Sequence, residues 1–354
     1  MSWIGLYDRE SSQFNPTGLD ANTLVPGPHL PRGTLLIEFA PAHVGKIVDL
    51  LSLNLNATTV LRIKAIPDAG YALITEQNGR ELHTLLKWRP SRRTESVRLS
   101  YTWDLVNNRA ELRLTEPGHQ HSQHVSAPMA TRVTLDAVRE FFVRADRTVA
   151  SHVEFCALSV ACEPTDTLPT LTPDTPIETG HGTIPVHKII PNMRVSKGDG
   201  QLTRVLQNVQ RKMPARGSFR PITLFAPYFG LRKDITVSPD QRIVLRGSDV
   251  EYTFGSEAVL AEARHLANGK TGEFAKTNAI VRYHQLLLTR NEIMVSAGAE
   301  IESQFIGRMR RRSALLAASP YSLIDPSGLP EHAGPQFPIL CQHEVTALLQ
   351  NRAA

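Results

Sequence analysis

The chain has 354 residues, of which 41% are hydrophobic and 21% charged, so it is long enough for two ordinary domains and has no compositional sign of disorder. Its 39 lysines and arginines exceed its 34 acidic residues, an excess that favours weak contacts with anions without specifying a partner. Three cysteines are too few for a disulfide scaffold and favour a reducing compartment.

The amino terminus carries neither a basic leader nor a sustained apolar run, which argues against a secretory signal. No stretch reaches the roughly 18 apolar residues that a transmembrane helix requires. We therefore expect a cytoplasmic protein without a membrane span, although export without a cleaved leader would leave no trace in the sequence.

The first half of the chain alternates apolar and polar residues over short runs that turn residues separate. This period of two is typical of antiparallel strands with one buried face. Segment 97–104 is the clearest case, because Val97, Leu99 and Tyr101 share one face with Trp103 while polar residues occupy the other, which we expect to face solvent. The other predicted strands of this half are 33–39, 51–56, 58–66, 71–76, 83–88 and 155–161.

A hairpin and a short helix complete this domain. Asn107 and Asn108 tolerate positive φ, and a second alternating run over 109–114 follows them, so this segment pairs with 97–104. Thr134 is suited to cap a helix that we expect to pack on the sheet. Its apolar side carries Leu135, Val138, Phe141 and Phe142. The pattern predicts an antiparallel β-sandwich over residues 1–163, followed by a linker over 164–169.

Two tryptophans raise a glycan-binding alternative for the sandwich. Segment 100–104 resembles strands of concanavalin-like and laminin-G-like sandwiches, and Trp88 and Trp103 could stack on a sugar ring. At alternating strand positions, however, an aromatic side chain usually belongs to the core. Both interpretations stay open at this point.

Three histidines follow the predicted hairpin. His119, His121 and His124 have side chains that could hold a transition metal. A loop positions such ligands poorly, and Glu116 is the one acidic neighbour. We expect no metal and no cofactor here.

The second half contains four segments that follow one another in a recognisable order. Residues 170–182 predict a strand and a glycine turn, and residues 234–245 predict two strands around a turn at 238–240. Segment 256–266 has helical spacing that Gly269 would end. Together with 263–269 and the predicted strands of 283–303, these segments are similar to the conserved blocks of bacterial Hint (Hedgehog/intein) domains. The resemblance implies an all-β Hint-like domain with short helices over 170–307.

The resemblance also implies a chemistry. In Hint domains the first residue attacks the carbonyl before it, an acid protonates the departing nitrogen, and hydrogen-bond donors stabilise the oxyanion. In this sequence Thr170 stands where the family has a cysteine, Ser238 where it has a threonine, and Gln241 where it has a histidine. Gln285 and Asn291 occupy two further positions at which members often carry histidine.

These replacements weaken the expected reaction. A threonine hydroxyl is a far poorer nucleophile than a thiol, and a glutamine amide cannot donate a proton near pH 7. His284 is one residue away from Gln285, an offset that turns its ring to the opposite face of a strand. For the other nearby histidines we expect solvated or structural positions: His181, His187 and His265.

Three functions remain in view. The first is a Hint-domain protein with impaired or lost self-processing that acts by binding a peptide or another ligand, with Gln241, Gln285 and Asn291 lining a pocket. The second is autoproteolysis between Pro169 and Thr170, with Thr170 as the nucleophile and Ser238 or Gln241 polarising the carbonyl. The third is a carbohydrate-binding module in the sandwich.

The last 47 residues, 308–354, are expected to form a tail with short helices. Arg308, Arg310, Arg311 and Arg312 form a basic run, but no nucleic-acid motif or interleaved aromatic accompanies it, so we expect no specific nucleic-acid partner. Five prolines divide the next stretch. Residues 341–352 predict an amphipathic helix that docks on the Hint-like domain through Val345, Leu348 and Leu349.

Overall fold

The computed structural model describes residues 3–20, 27–41, 46–90, 94–117, 122–127, 132–164, 169–317 and 319–353. The chain forms two compact units, Met1–Asp166 and Thr167–Ala354. Both consist mainly of antiparallel strands with a few short helices, which confirms the mainly β fold class. No helix in the described ranges is long and apolar enough to cross a membrane.

The first unit contains one helix, α1 (Leu135–Val143), in its described part. Its strands in chain order are β1 (Trp3–Asp8), β2 (Ser12–Phe14), β3 (His29–Leu30), β4 (Arg32–Phe39), β5 (Val48–Asn56), β6 (Thr59–Ile66), β7 (Gly70–Gln77), β8 (Arg80–Lys87), β9 (Val97–Asp104), β10 (Arg109–Thr115), β11 (Ser122–Ser126), β12 (Val133–Thr134), β13 (Thr148–Val149) and β14 (Val153–Ser159).

Two large sheets make the first unit a β-sandwich. One has seven strands in the order β11-β10-β9-β4-β14-β1-β2, and the other has five in the order β13-β5-β6-β7-β8. A single hydrophobic cluster joins them, with Leu35 and Leu99 from the seven-stranded sheet and Ile63 and Leu73 from the five-stranded sheet. The burial of one face of each sheet is the physical reason for the alternating pattern.

The hairpin of β9 and β10 forms as predicted, with Asp104 opposite Arg109 and Asn108 at a φ of 51°. The apolar face of β9 is buried, but the expectation that its polar face lies in solvent was wrong. Arg98 is 6% exposed and lies opposite Glu38 of β4 in the strand register, itself 1% exposed. Neighbouring side chains of opposite charge lower the cost of removing both from water.

Helix α1 begins as its sequence predicts. The Thr134 hydroxyl accepts a hydrogen bond from the backbone N–H of Ala137 at 3.2 Å. The helix lies against β5 and β2 and buries Phe142. Gly5 of β1 allows this packing, because a Cβ atom there would stand 2.3 Å from the Phe142 ring.

The second unit contains helices α2 (Ser248–Phe254), α3 (Ala263–Leu266), α4 (Ser313–Ala317) and α5 (Gln342–Ala353). Its strands are β15 (Pro176–Thr179), β16 (Gly182–Pro185), β17 (Arg194–Ser196), β18 (Leu202–Pro214), β19 (Ile222–Leu224), β20 (Ile235–Val237), β21 (Arg242–Arg246), β22 (Ala258–Glu262), β23 (Gly272–Phe274), β24 (Ile280–Leu288), β25 (Ile293–Ser296) and β26 (Ala299–Glu302).

Three sheets surround the core of this unit, in the orders β16-β15-β17-β18-β24, β20-β19-β23 and β22-β21-β26-β25. The prediction of a helix over 256–266 was largely wrong. Residues 258–262 form β22, which pairs with β21 along its whole length, and only 263–266 are helical. The alanine, leucine and glutamate of this segment favour helix, but pairing and burial on both sides outweigh a propensity of a few tenths of a kcal/mol.

The carboxy-terminal helix docks on the second unit, as predicted. Val345 is fully buried and Leu348 nearly so, both within the main core of that unit. The basic run is partly neutralised, because Arg310 and Arg311 both pair with Glu331 at 2.6 Å. These two hydrogen-bonded guanidinium groups lower the pKa of Glu331 to about 2.

Candidate functional site

Thr170 lies near the start of the second unit and is held by its backbone between two strands. Its N–H donates to the carbonyl of His284 in β24, and its carbonyl accepts a 2.7 Å hydrogen bond from the N–H of Ser238, directly after β20. The next residue, Leu171, bridges to both Val237 and His284. The side chain of Thr170 is buried, with 8% of the residue exposed.

Three polar side chains meet at this point, and we name Thr170, Gln241 and Gln285 the Thr170 cluster. The Thr170 hydroxyl donates to Gln241 Oε1 at 2.5 Å. It also accepts a 2.7 Å hydrogen bond from Gln285 Nε2, which lies 3.2 Å from Gln241 Oε1. The hydroxyl thus acts as donor and acceptor at once, towards two uncharged amides.

The two amides are themselves fixed. Gln241 Nε2 donates to the carbonyls of Arg242, at 2.8 Å, and Glu302, at 3.1 Å, so its Oε1 must face the hydroxyl. Gln285 Oε1 accepts from the N–H of Leu286. The orientation of both side chains therefore follows from the hydrogen bonds around them.

The other two predicted site residues stand apart from the hydroxyl. Ser238 Oγ accepts from the N–H of Asp240 within the turn, and the hydrogen bond from Ser238 to Thr170 comes from its backbone N–H. Asn291 donates to the carbonyl of Ser303 at 3.3 Å. Hydrogen bonds join Thr170, Gln241 and Gln285, whereas Asn291 bonds to Ser303 and Glu302 instead.

Asn291 lines a cleft of about 520 Å³ in the second unit. Charges of both signs surround it, and Lys197 pairs with Glu292 at 3.5 Å on one wall. The cleft is lined by Lys197, Gly198, Asp199, Arg246, Glu257, Arg290, Asn291, Glu292, Ile293 and Gln336.

His284 turns its ring away from Thr170. Its Nδ1 lies 3.2 Å from Asn208 Oδ1, and the Asn208 amide uses both of its hydrogens on backbone carbonyls. Nδ1 must therefore carry the proton. Burial lowers the pKa of His284 to about 4, and the charges of Arg282 and His187 act in the same direction.

Three further histidines of this unit do not supply an acid to the Thr170 hydroxyl. Burial lowers the pKa of His265 to about 4, and His187 Nδ1 lies 2.7 Å from the carbonyl of Pro173. His181 is exposed on the turn after β15. Among the residues that the structure describes, no histidine nitrogen is hydrogen-bonded to the Thr170 hydroxyl.

A buried charged group, which sequence reasoning missed, adjoins Gln241. Arg242 contacts Glu302 at 3.0 Å and lies 3.9 Å from Glu262. Burial raises the pKa of both carboxyls, and Arg242 opposes the shift. The three residues lie on the adjacent strands β22, β21 and β26. No local signal marks them, because their proximity depends on pairing between distant segments.

In the sandwich the two tryptophans belong to the core. Trp103 is 1% exposed and its Nε1 donates to the carbonyl of Leu30, while Trp88 stacks on Tyr71 with ring centroids 5.8 Å apart. This burial favours the core interpretation of the two tryptophans over stacking on a sugar ring. His124 is exposed on β11, whereas His119 and His121 lie outside the described residues.

Comparison with known proteins gives one family. Residues 169–308 match the Hint domain family model, whereas no curated protein matches the chain. The MchDnaB-1 intein is 14% identical, with 38% of this chain and 98% of that chain covered and a TM-score of 0.25. An intein-like domain from Clostridium thermocellum is 12% identical, with 38% of this chain and 99% of that chain covered and a TM-score of 0.26.

A further solved structure is similar to part of this chain. The sialidase module CBM40 of Ruminococcus gnavus, bound to α2,6 sialyllactose, is 15% identical, with 45% of this chain and 88% of that chain covered and a TM-score of 0.26. The family match lies wholly within residues 169–308 and covers less than half of the chain. The second unit of this chain therefore contains a Hint domain.

Proposed function

We propose that this Hint domain has lost efficient self-cleavage at the Pro169–Thr170 bond and that the protein acts through binding. The observation that carries the proposal is the pair of amides around Thr170 Oγ1, at 2.5 and 2.7 Å. Neither amide can take up the hydroxyl proton near pH 7 or return one to a leaving nitrogen.

The hydrogen bonds also occupy the atom that would attack. One lone pair of Thr170 Oγ1 accepts from Gln285, and its proton is directed at a neutral oxygen of Gln241. A general acid or base typically contributes about 100- to 10,000-fold to such a reaction. A weak nucleophile that also lacks this group is expected to turn over negligibly.

The intact mass of the purified full-length chain tests the loss of cleavage. We expect a single species at 39.2 kDa after prolonged incubation at neutral pH, with and without an added thiol. Two fragments divided between Pro169 and Thr170 would support live autoproteolysis instead, and Thr170→Ala would then have to abolish the division.

For the binding function, the cleft beside Asn291 supports a peptide ligand. It offers an amide and side chains of both charges, which suit the polar backbone and the charged side chains of a peptide. Short random peptides displayed on phage and selected on the immobilised full chain provide the probe. We expect an enriched consensus whose binding is lost in Asn291→Ala and retained in Thr170→Ala; the absence of any enriched sequence would contradict the proposal.

A further inference from the structure

We infer that the start of helix α5 is a binding site for a transition-metal dication of the Zn²⁺ class, with Cys341, His343 and Glu344 as its protein ligands. The site is distinct from the Thr170 cluster in the residues that form it, and it does not depend on the proposed function. The inference rests on the geometry and the chemistry of these three side chains.

The three ligand atoms already lie close together. Cys341 Sγ is 3.1 Å from His343 Nδ1 and 2.9 Å from Glu344 Oε2, and the ligand atoms of all three residues fall within 4.8 Å of one another. Around tetrahedral Zn²⁺, with bonds of about 2.3 Å to sulfur and about 2.0–2.2 Å to nitrogen or oxygen, neighbouring ligands stand roughly 3.5 Å apart. Small rotations of these side chains therefore suffice to receive the ion.

The backbone that carries the ligands is fixed on both sides. Before the helix, the N–H of Leu340 donates to the carbonyl of Leu260 at 2.8 Å, and Leu340 itself is buried. After the ligands, Val345 and Leu348 anchor α5 in the core of the second unit. Ligands on such a support hold their spacing without an ion, which reduces the entropy lost on binding.

Capping of the helix explains only part of this arrangement. The Glu344 carboxylate accepts the N–H of Cys341 through Oε2 at 2.8 Å, a capping contact that uses one lone pair of Oε2 and leaves the other lone pair available for a metal. Neither the thiol nor the imidazole is needed for that cap. Both are exposed side chains, so their contact with each other is not forced by burial.

The ligand set selects the class of metal. A thiolate and an imidazole suit Zn²⁺, Co²⁺ and similar ions rather than Mg²⁺ or Ca²⁺, which prefer oxygen ligands. On binding, the S–H bond of Cys341 breaks, the sulfur bonds to the metal and the proton leaves to solvent. Three protein ligands leave one coordination position for water.

Titration of the chelator-treated full-length chain with Co²⁺ tests the site. We expect one Co²⁺ per chain, a sulfur-to-cobalt charge-transfer absorption, and displacement by Zn²⁺. Cys341→Ser should abolish the charge-transfer absorption, and His343→Gln should weaken affinity by at least about 10-fold. Cys162→Ser provides the matched control, because Cys162 is the other exposed cysteine of the described chain and should leave binding unchanged.

Glu344→Gln separates the cap from the metal. The amide oxygen can still accept the N–H of Cys341, so helix content measured by circular dichroism should persist while Co²⁺ affinity falls. The inference is overturned if the full chain shows no charge-transfer absorption, if the absorption survives in Cys341→Ser, or if Glu344→Gln binds Co²⁺ as tightly as the natural sequence.

Discussion

The Thr170 hydroxyl is fully hydrogen-bonded without being activated. Its two partners, Gln241 and Gln285, complete the hydrogen bonds of a buried alcohol, which avoids the cost of about 1–3 kcal/mol that an unsatisfied group would carry. The same bonds leave the oxygen with no proton acceptor of suitable pKa. Under the proposed function, this position satisfies the requirements of folding but not those of catalysis.

Restoring an imidazole and a thiol should restore cleavage. In Thr170→Cys combined with Gln241→His, the ring would stand where an amide oxygen now lies 2.5 Å from the nucleophile. We expect cleavage before position 170 in the presence of an added thiol, about 100- to 10,000-fold faster than in Thr170→Cys alone, measured by intact mass over time. Thr170→Cys with Gln201→His is the control, since Gln201 is exposed and its side chain bonds Lys197, and it should behave like Thr170→Cys. Equal rates in the two double variants would refute the role given to Gln241.

His284 should make the stability of the second unit sensitive to acid. Its pKa of about 4 in the folded state lies below the ordinary 6.5, so the neutral ring is favoured by folding. The contribution of the neutral His284 ring to the free energy of unfolding is complete above about pH 6.5. It is lost as the pH falls from about 6.5 through 4. Over that window we expect a loss on the order of 2–3 kcal/mol that His284→Asn, which keeps a donor towards Asn208, does not show.

Urea denaturation at pH 7 and at pH 4.5 measures this difference. Leu286→Val, a substitution of a fully buried non-titrating residue on the same strand, should lose similar stability at both pH values. An unchanged pH dependence in His284→Asn would show that the imidazole does not titrate differently in the folded chain.

At the scale of elements, the chain follows its local pattern where the alternation or the helix cap is clear. Strands with clean alternation, such as β9, and a helix with a side-chain cap, α1, lie where the sequence predicts them. Strand β1 was missed, because Trp3, Ile4 and Leu6 are all nearly fully buried and leave no alternation to detect. Strand β22 was mistaken for a helix, because its pairing with β21 is not visible in its own residues.

The cap of α1 gives an element-scale prediction. Thr134→Ala removes the acceptor of the Ala137 N–H and should lower the free energy of unfolding of the first unit by about 1 kcal/mol. Thr134→Ser keeps an equivalent hydroxyl and should cost only a small fraction of that. Denaturant unfolding followed by the fluorescence of buried Trp103 provides the measurement, and equal losses in the two variants would contradict the capping role.

At the scale of the whole molecule, the described chain has two large cores, each within one unit. Stability is therefore expected to respond to core substitutions unit by unit. Leu99→Ala should destabilise the first unit by about 2–5 kcal/mol, and Val259→Ala should act on the second. Both residues are fully buried.

Hydrogen exchange measured by mass spectrometry on peptides from each core resolves the two responses. In Leu99→Ala we expect faster exchange in peptides from β4 and β9 and unchanged exchange in peptides from β21 and β22. Equal acceleration in both sets would mean that the units unfold as one, and independent cores would then be the wrong description.

Much of the architecture was open to prediction from the sequence. The alternation of the first half and the order of the four segments in the second depend on residue type and local spacing. The assignment of Thr170, Ser238, Gln241 and Asn291 to family positions follows from the resemblance alone and stays a prediction. The domain limits of 1–163 and 170–307 remain predictions. Local spacing also placed His284 on the face opposite Gln285, since a strand reverses its side chains at every residue.

Only the tertiary structure decided which of those residues meet. Gln285 donates to a hydroxyl 115 positions away, whereas Asn291 contacts Ser303 and lines a separate cleft. Arg242 likewise meets the buried carboxyls of Glu262 and Glu302 only in the folded structure. Such contacts depend on the register between distant strands, which the combined burial of many side chains sets. A single short segment does not contain that information.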